Sequence, residues 1–234
     1  MVIDYIGHSG FLVETESCLL LFDYYRGKLL PLLDRKPSGK PLFVFASHAH
    51  ADHFNPEIFS LRGRGRDVRY LLSFDIRGNC SVPKGADVLY LDADRSYEVP
   101  GLGTVETFLS TDEGVAFLVR TEDASVFHAG DLNWWDWEGE DPGWLAEQER
   151  VFKREIGKLA GTSMDAACIV LDDRLEANFA EGMDWFLSVC SPGCVLPMHF
   201  WKDRSVISRF LSLPERHGTS VPILDTANNS HWEI

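Results

Sequence analysis

The stretch His48-Ala49-His50-Ala51-Asp52-His53 constrains this chain more than any other, because it sets three of the eight histidines and a carboxylate within six positions. It follows the apolar run Leu42-Phe43-Val44-Phe45, which reads as a short buried strand. Strand side chains alternate, so His48 and His50 point the same way off its end. Asp52 and His53 are consecutive, and no strand can aim both at one point. The chain must therefore turn. Asn55 is a good helix N-cap and Pro56 suits the first helical position before Glu57-Ile58-Phe59. Strand, turn and helix start together gather two imidazoles on one side and a carboxylate plus a third imidazole on the other. That arrangement fits two adjacent divalent metals, since neutral imidazole and carboxylate are the ligands such ions select.

With these residues in hand, the sequence resembles the metallo-β-lactamase superfamily, which carries a His-x-His-x-Asp-His motif in this setting. Other segments match in order. Tyr5-Ile6-Gly7-His8-Ser9-Gly10-Phe11-Leu12-Val13 resembles the opening of its lactonase-like and phosphodiesterase-like branch. Leu19-Leu20-Leu21-Phe22-Asp23 resembles an early strand ending in an acidic residue, His128-Ala129-Gly130-Asp131 a later strand ending in Gly-Asp, and Leu196-Pro197-Met198-His199 the last motif. The resemblance implies that His48, His50, Asp52, His53, Asp131 and His199 hold one or two divalent ions, zinc or manganese, with Asp131 bridging. Asp52 is also the candidate to orient the attacking water or move its proton.

The pattern departs in one place. Most relatives have a further histidine on a strand between the main motif and Gly-Asp, and here no histidine lies between His53 and His128. Asp112 is one substitute ligand and His128 another. His128 stands three positions before Asp131 on a strand, so its side chain points to the opposite face and reads as a structural residue beside the site. His8, in a Gly-rich turn, could orient a ligand or polarise a substrate, or merely pack the turn. Trp134 and Trp135, in Asn133-Trp134-Trp135-Asp136-Trp137, could wall a substrate pocket or seal a core edge. His217 and His231 have polar neighbours and read as surface residues. Arg62, Arg64, Arg66 and Arg69 read as a solvated loop or as an anion-steering patch.

The net charge of −14 argues against a general nucleic-acid surface. No apolar run approaches the ~18 residues of a membrane span, and the N-terminus shows no signal peptide. The five cysteines form no Cys-x-x-Cys pair and read as reduced thiols, so a cytoplasmic protein is expected. Oligomeric state leaves no mark.

Strands are expected at 2–6, 11–14, 19–22, 42–46, 69–73, 88–91, 96–99, 105–109, 115–120 and 125–128, then at 167–171, 195–198 and 221–224. Helices are expected at 144–159, 183–189 and 206–213, and the stretch 28–41 reads as loop with at most a short helix. Strands crowd the first half, helix and strand alternate in the second, and no linker divides the chain. The expectation is a single domain over 1–234. The resemblance implies the four-layered αββα sandwich of the metallo-β-lactamase fold, two mixed sheets with helices on their outer faces. The function expected is metal-dependent hydrolysis of an ester or lactone in a small molecule, with a phosphoester next. Water acidified by the ions would be the nucleophile. A true β-lactamase and a nuclease are disfavoured, and no membrane or nucleic-acid partner is expected. The rival is a non-catalytic metal- or ligand-binding protein whose missing histidine leaves a site without turnover.

Overall fold

In a computed structural model, which describes residues 1–213 and 220–234, the chain forms two sheets. His217 lies outside the described residues. The strands are β1 (Val2–Gly7), β2 (Gly10–Glu14), β3 (Leu19–Phe22), β4 (Leu42–Ala46), β5 (Val68–Ser73), β6 (Asp87–Leu91), β7 (Ser96–Val99), β8 (Gly103–Leu109), β9 (Val115–Arg120), β10 (Ser125–His128), β11 (Ala166–Val170), β12 (Cys194–Met198) and β13 (His231–Glu233). The first sheet runs β13-β1-β2-β3-β4-β5-β6 and the second β12-β11-β10-β9-β8-β7. Both are mixed: β3 to β6 and β10 to β12 pair in parallel, and the remaining neighbours antiparallel.

The parallel strands β3, β4, β11 and β12 are apolar and buried at every position because both their faces are covered. Phe43 and Phe45 of β4 turn inward to meet the second sheet, while Leu42, Val44 and Ala46 turn outward. Between the sheets Phe22 stacks on Phe45 at 4.8 Å, and Phe45 meets Phe117 edge-on at 5.3 Å. Over the second sheet lie α2 (Pro142–Gly157), α3 (Glu181–Val189) and α4 (Val206–Leu211), burying Phe152, Ile156, Phe186 and Phe210. The cover on the first sheet is thinner: α1 (Leu29–Leu33) and a 3-10 turn, Pro56–Leu61. This is the αββα sandwich. No helix among the described residues is long and apolar enough to cross a membrane.

The expected strand at 221–224 shrinks to one bridge, Ile223 to Val195, because the preceding proline leaves only Val195 N–H to Pro222 O and Leu224 N–H to Val195 O. The edge strand β13 was not foreseen, since its His231-Trp232-Glu233 offers no apolar alternation; its exposed His231 donates to the buried Asp4 at 2.8 Å. Of the four arginines Arg62, Arg64, Arg66 and Arg69, two are held in local bonds. Arg66 donates to the carbonyls of Leu33, Lys36, Pro37 and Lys40, and Arg69 pairs with Asp87. All five cysteines are free thiols.

The sheets touch where β4, β8 and β10 end. Val115 N–H donates to Ser47 O at 2.9 Å, and two glycines make that approach feasible. A Cβ on Gly114 would lie 2.0 Å from Ser47 O, and one on Gly130 would lie 2.6 Å from Ser47 Cβ; both have positive φ. Gly130 thus serves contact between the sheets. At the far side His199 N–H donates to His8 O at 3.2 Å, joining the β1–β2 turn to the end of β12.

Candidate metal centre

Each candidate side chain leaves the end of a strand. His48, His50, Asp52 and His53 follow β4, Asp112 follows β8, Asp131 follows β10, His199 follows β12 and His8 sits in the β1–β2 turn. Ligands gather at such carboxyl ends because loops there are free to diverge. The turn after His50 closes with His53 N–H and Phe54 N–H donating to His50 O, and Asn55 caps the following 3-10 turn by accepting from Glu57 N–H. His8 and His199 hold left-handed φ values of 54° and 67°, strain that the fold bears where their rings converge.

The side chains form two groups, each with ligand atoms within 4.8 Å of one another: His48, His50, Asp112 and Asp131; and His8, Asp52, His53 and His199. Asp131 faces both. Its Oδ2 is 3.7 Å from His48 Nε2, while its Oδ1 is 3.1 Å from His53 Nε2 and 3.4 Å from His199 Nε2. In the first group His50 Nδ1 is 3.4 Å from Asp112 Oδ2. In the second, Asp52 Oδ2 lies 3.2 Å from His8 Nε2 and 4.0 Å from His53 Nε2. All six residues expected as ligands are therefore brought together, and Asp112 and His8 join them.

His128 does not. It is buried between the sheets, 5.0 Å above the Phe22 ring, accepting from Gly130 N–H at Nδ1 and donating from Nε2 to Ser9 O. As a ligand substitute it is excluded by its direction, the opposite face of β10. Trp134 likewise leaves the site: it packs under the Lys153 ammonium at 4.1 Å, outside the lining of the cavity beside Asp112 and Asp131. Its neighbour Trp135 does line it, donating from Nε1 to Asp131 O and stacking on Trp137. Trp135 and Trp137 share one side, their rings stacked at 5.7 Å, while Trp134 lies against Lys153.

Behind the histidines stand residues that the sequence reading did not assign to the site. His53 Nδ1 donates to buried Asp23 at 2.8 Å, His199 Nδ1 to buried Asp172 at 2.8 Å, and His48 Nδ1 lies 3.0 Å from Ser47 Oγ. Ser47 in turn donates from N and Oγ to Asp23, and Arg174 grips Asp172 with two nitrogens. The available signal was an aspartate at the end of an all-apolar run, Asp23 directly after β3 and Asp172 after β11 and Leu171.

This arrangement fits metal ions on its own chemistry. With Nδ1–H committed to a carboxylate, Nε2 of His53 and of His199 carries a lone pair, and both lone pairs face the Asp131 carboxylate. A proton or a cation must lie between them. His8 Nε2, His48 Nε2, His53 Nε2 and Asp131 Oδ1 are all buried without a hydrogen-bond partner, where such atoms normally have one. Burial pushes the His48 imidazole down to about 4, leaving it neutral as a ligand must be. Burial would raise Asp131, but His199 and His53 outweigh it and hold the carboxyl well below the usual range. Burial, and then Asp131, push Asp112 up. His53 is lowered by burial but raised more by Asp131 and Asp23, and ends well above its ordinary value. The site is short of positive charge.

A sandwich of two mixed sheets with His and Asp donors at the strand ends defines the metallo-β-lactamase fold. The chain belongs to the beta-lactamase superfamily, whose domain model matches residues 2–135. It is 24% identical over 216 residues to a metal-dependent hydrolase of Heliobacterium modesticaldum, covering 85% of this chain and 82% of that protein. A metal-dependent hydrolase of Pyrobaculum calidifontis is 27% identical over 145 residues, and the match spans only 61% of that protein. Among solved structures, a metallo hydrolase from Ignicoccus hospitalis superposes with a TM-score of 0.65 at 17% identity, covering 100% of this chain and 98% of that one.

Proposed function

We propose that the protein is a metal-dependent hydrolase of a small molecule, acting on an ester or lactone. The observation that carries this is the division of Asp131, one oxygen toward His48 and the other toward His53 and His199. A carboxylate so placed serves two positions at once. His48, His50, Asp112 and Asp131 would hold one ion, and His8, Asp52, His53 and His199, with Asp131 shared, the other. Bound there, divalent ions supply Lewis acidity and acidify water toward neutrality.

The chain's own residues do the rest. Asp23, Asp172 and Ser47 fix the imidazole orientations, so little reorganisation remains when substrate arrives. Burial works to raise Asp52, while His8 and His53 outweigh it and keep the carboxylate ionised. It is thus able to accept a hydrogen bond from the attacking water and orient it. Beside Asp112 and Asp131 lies a cavity of about 130 Å³ walled by Trp135, Trp137, Trp144 and Arg174, fit for the apolar part of a small substrate rather than a polymer. The second carboxylate in the first group, where most relatives place a histidine, shifts preference from zinc toward manganese.

Metal analysis after purification without added metal, followed by a panel of γ- and δ-lactones, aryl esters and bis(4-nitrophenyl) phosphate, tests the proposal. Turnover of esters or lactones that stops on chelation and returns with manganese or zinc is expected. Two ions bound with no turnover of any class would favour the non-catalytic binding protein instead.

A further inference from the structure

A second cavity opens on the other side of the centre, and its chemistry is unlike the rest of the molecule. It measures about 650 Å³, and His8 lies in its wall together with Arg26, Trp201, Lys202 and Arg204. The chain carries 36 acidic residues against 22 basic ones, yet among the described residues three cations and no carboxylate line this cleft. Asn228, Asn229 and Ser230 form the rim, the two amide side chains held by Asp225 and by the His231 carbonyl. Arg204 is fixed by its bond to the Ala227 carbonyl. The Arg26 guanidinium lies 4.9 Å above the Tyr25 ring, and among the described residues no acid stands in the wall beside either cation. His8 spans from cleft to centre: its ring is 4.5 Å from Trp201, and its Nε2 is 3.2 Å from Asp52.

Cations spaced around a concave, half-apolar wall and left without acidic partners focus a positive potential there. The complement is an oxyanion on a small molecule. We propose that this cleft binds the carboxylate or phosphate group of an anionic substrate, leaving its hydrolysable bond at the centre beyond His8. Arg26 and Lys202 provide charge at the mouth, and Arg204 provides a fixed donor at the wall. The volume suits a molecule of metabolite size. This inference rests on the hydrolase reading for its kinetic consequence, while the binding of an anion stands apart from it.

Two arms test it, both with the exposed pair Arg26→Gln/Lys202→Gln, which leaves Arg204 and the candidate ligands intact. In the kinetic arm, mono-4-nitrophenyl glutarate is compared with 4-nitrophenyl butyrate on the metal-loaded protein. The wild type should prefer the anionic ester by about tenfold or more in kcat/KM, as expected for charge-assisted contacts. The variant should lose that preference through a raised KM for the anionic ester. An unchanged preference in the variant overturns the proposal. In the binding arm, calorimetry with glutarate and with inorganic phosphate should show binding that the variant weakens about tenfold and that falls with added salt. The tighter of the two probes identifies the oxyanion. If neither ester is hydrolysed, the hydrolase reading fails and the calorimetry alone decides the cleft. Absent binding, or binding equal in wild type and variant, overturns it.

Discussion

The two groups of the centre differ in how their imidazoles are held. In the second, His53 and His199 are buried, and each gives its Nδ1–H to a buried aspartate at 2.8 Å. In the first, His48 is buried against Ser47, but His50 is 48% exposed and faces Asp112 at 3.4 Å and Glu113 at 3.6 Å, both exposed as well. The second group is built before an ion arrives, whereas half of the first must be gathered by the ion. Preorganised ligands lose less conformational freedom on binding, so the second position should be the tighter one.

Removing the shared residue should have the largest effect. Asp131→Ala is expected to abolish activity and lower bound metal from two ions to at most one, with the circular dichroism spectrum retained; unchanged metal content would contradict the bridge. Asp172→Asn, which keeps the shape but takes the charge from behind His199, should weaken the second position by about 10–100-fold. The first position should stay as it was, as read by competition with a chromophoric chelator. Asp112→Ala should act in the opposite sense, weakening only the first position by about tenfold, and Asp112→His should raise zinc affinity there. Smallest of all, Glu113→Gln should change first-position affinity at most a few-fold, because exposed carboxylate–histidine pairs are well screened. If Glu113→Gln matched Asp172→Asn in effect, the contrast between the positions would fail.

The same contrast separates what was legible in the sequence from what was not. His48, His50, Asp52 and His53 stand within one turn, so their convergence follows from strand alternation and a helix start. Most strands were readable for a related reason: apolar runs such as Leu42–Ala46 are buried on both faces and bounded by turn residues. Asp23 and Asp172 were hidden because a single aspartate after a strand reads equally as a turn cap. Only the pairing of β3 with β4 and of β11 with β12 sets each of them behind a histidine. His8 was ambiguous for want of the bond from His199 N–H to its carbonyl, which spans the two sheets. Trp134 and Trp135 could not be told apart until the fold set Trp135 Nε1 against Asp131 O and Trp134 under Lys153.

Metal titration of the wild-type protein, followed calorimetrically with manganese and with zinc, tests the central claim most directly. Two steps totalling two ions are expected, the tighter step lost first in Asp172→Asn and the weaker one in Asp112→Ala. A single ion in all, or loss of the tighter step in Asp112→Ala, would contradict a centre of two unequal positions joined by Asp131.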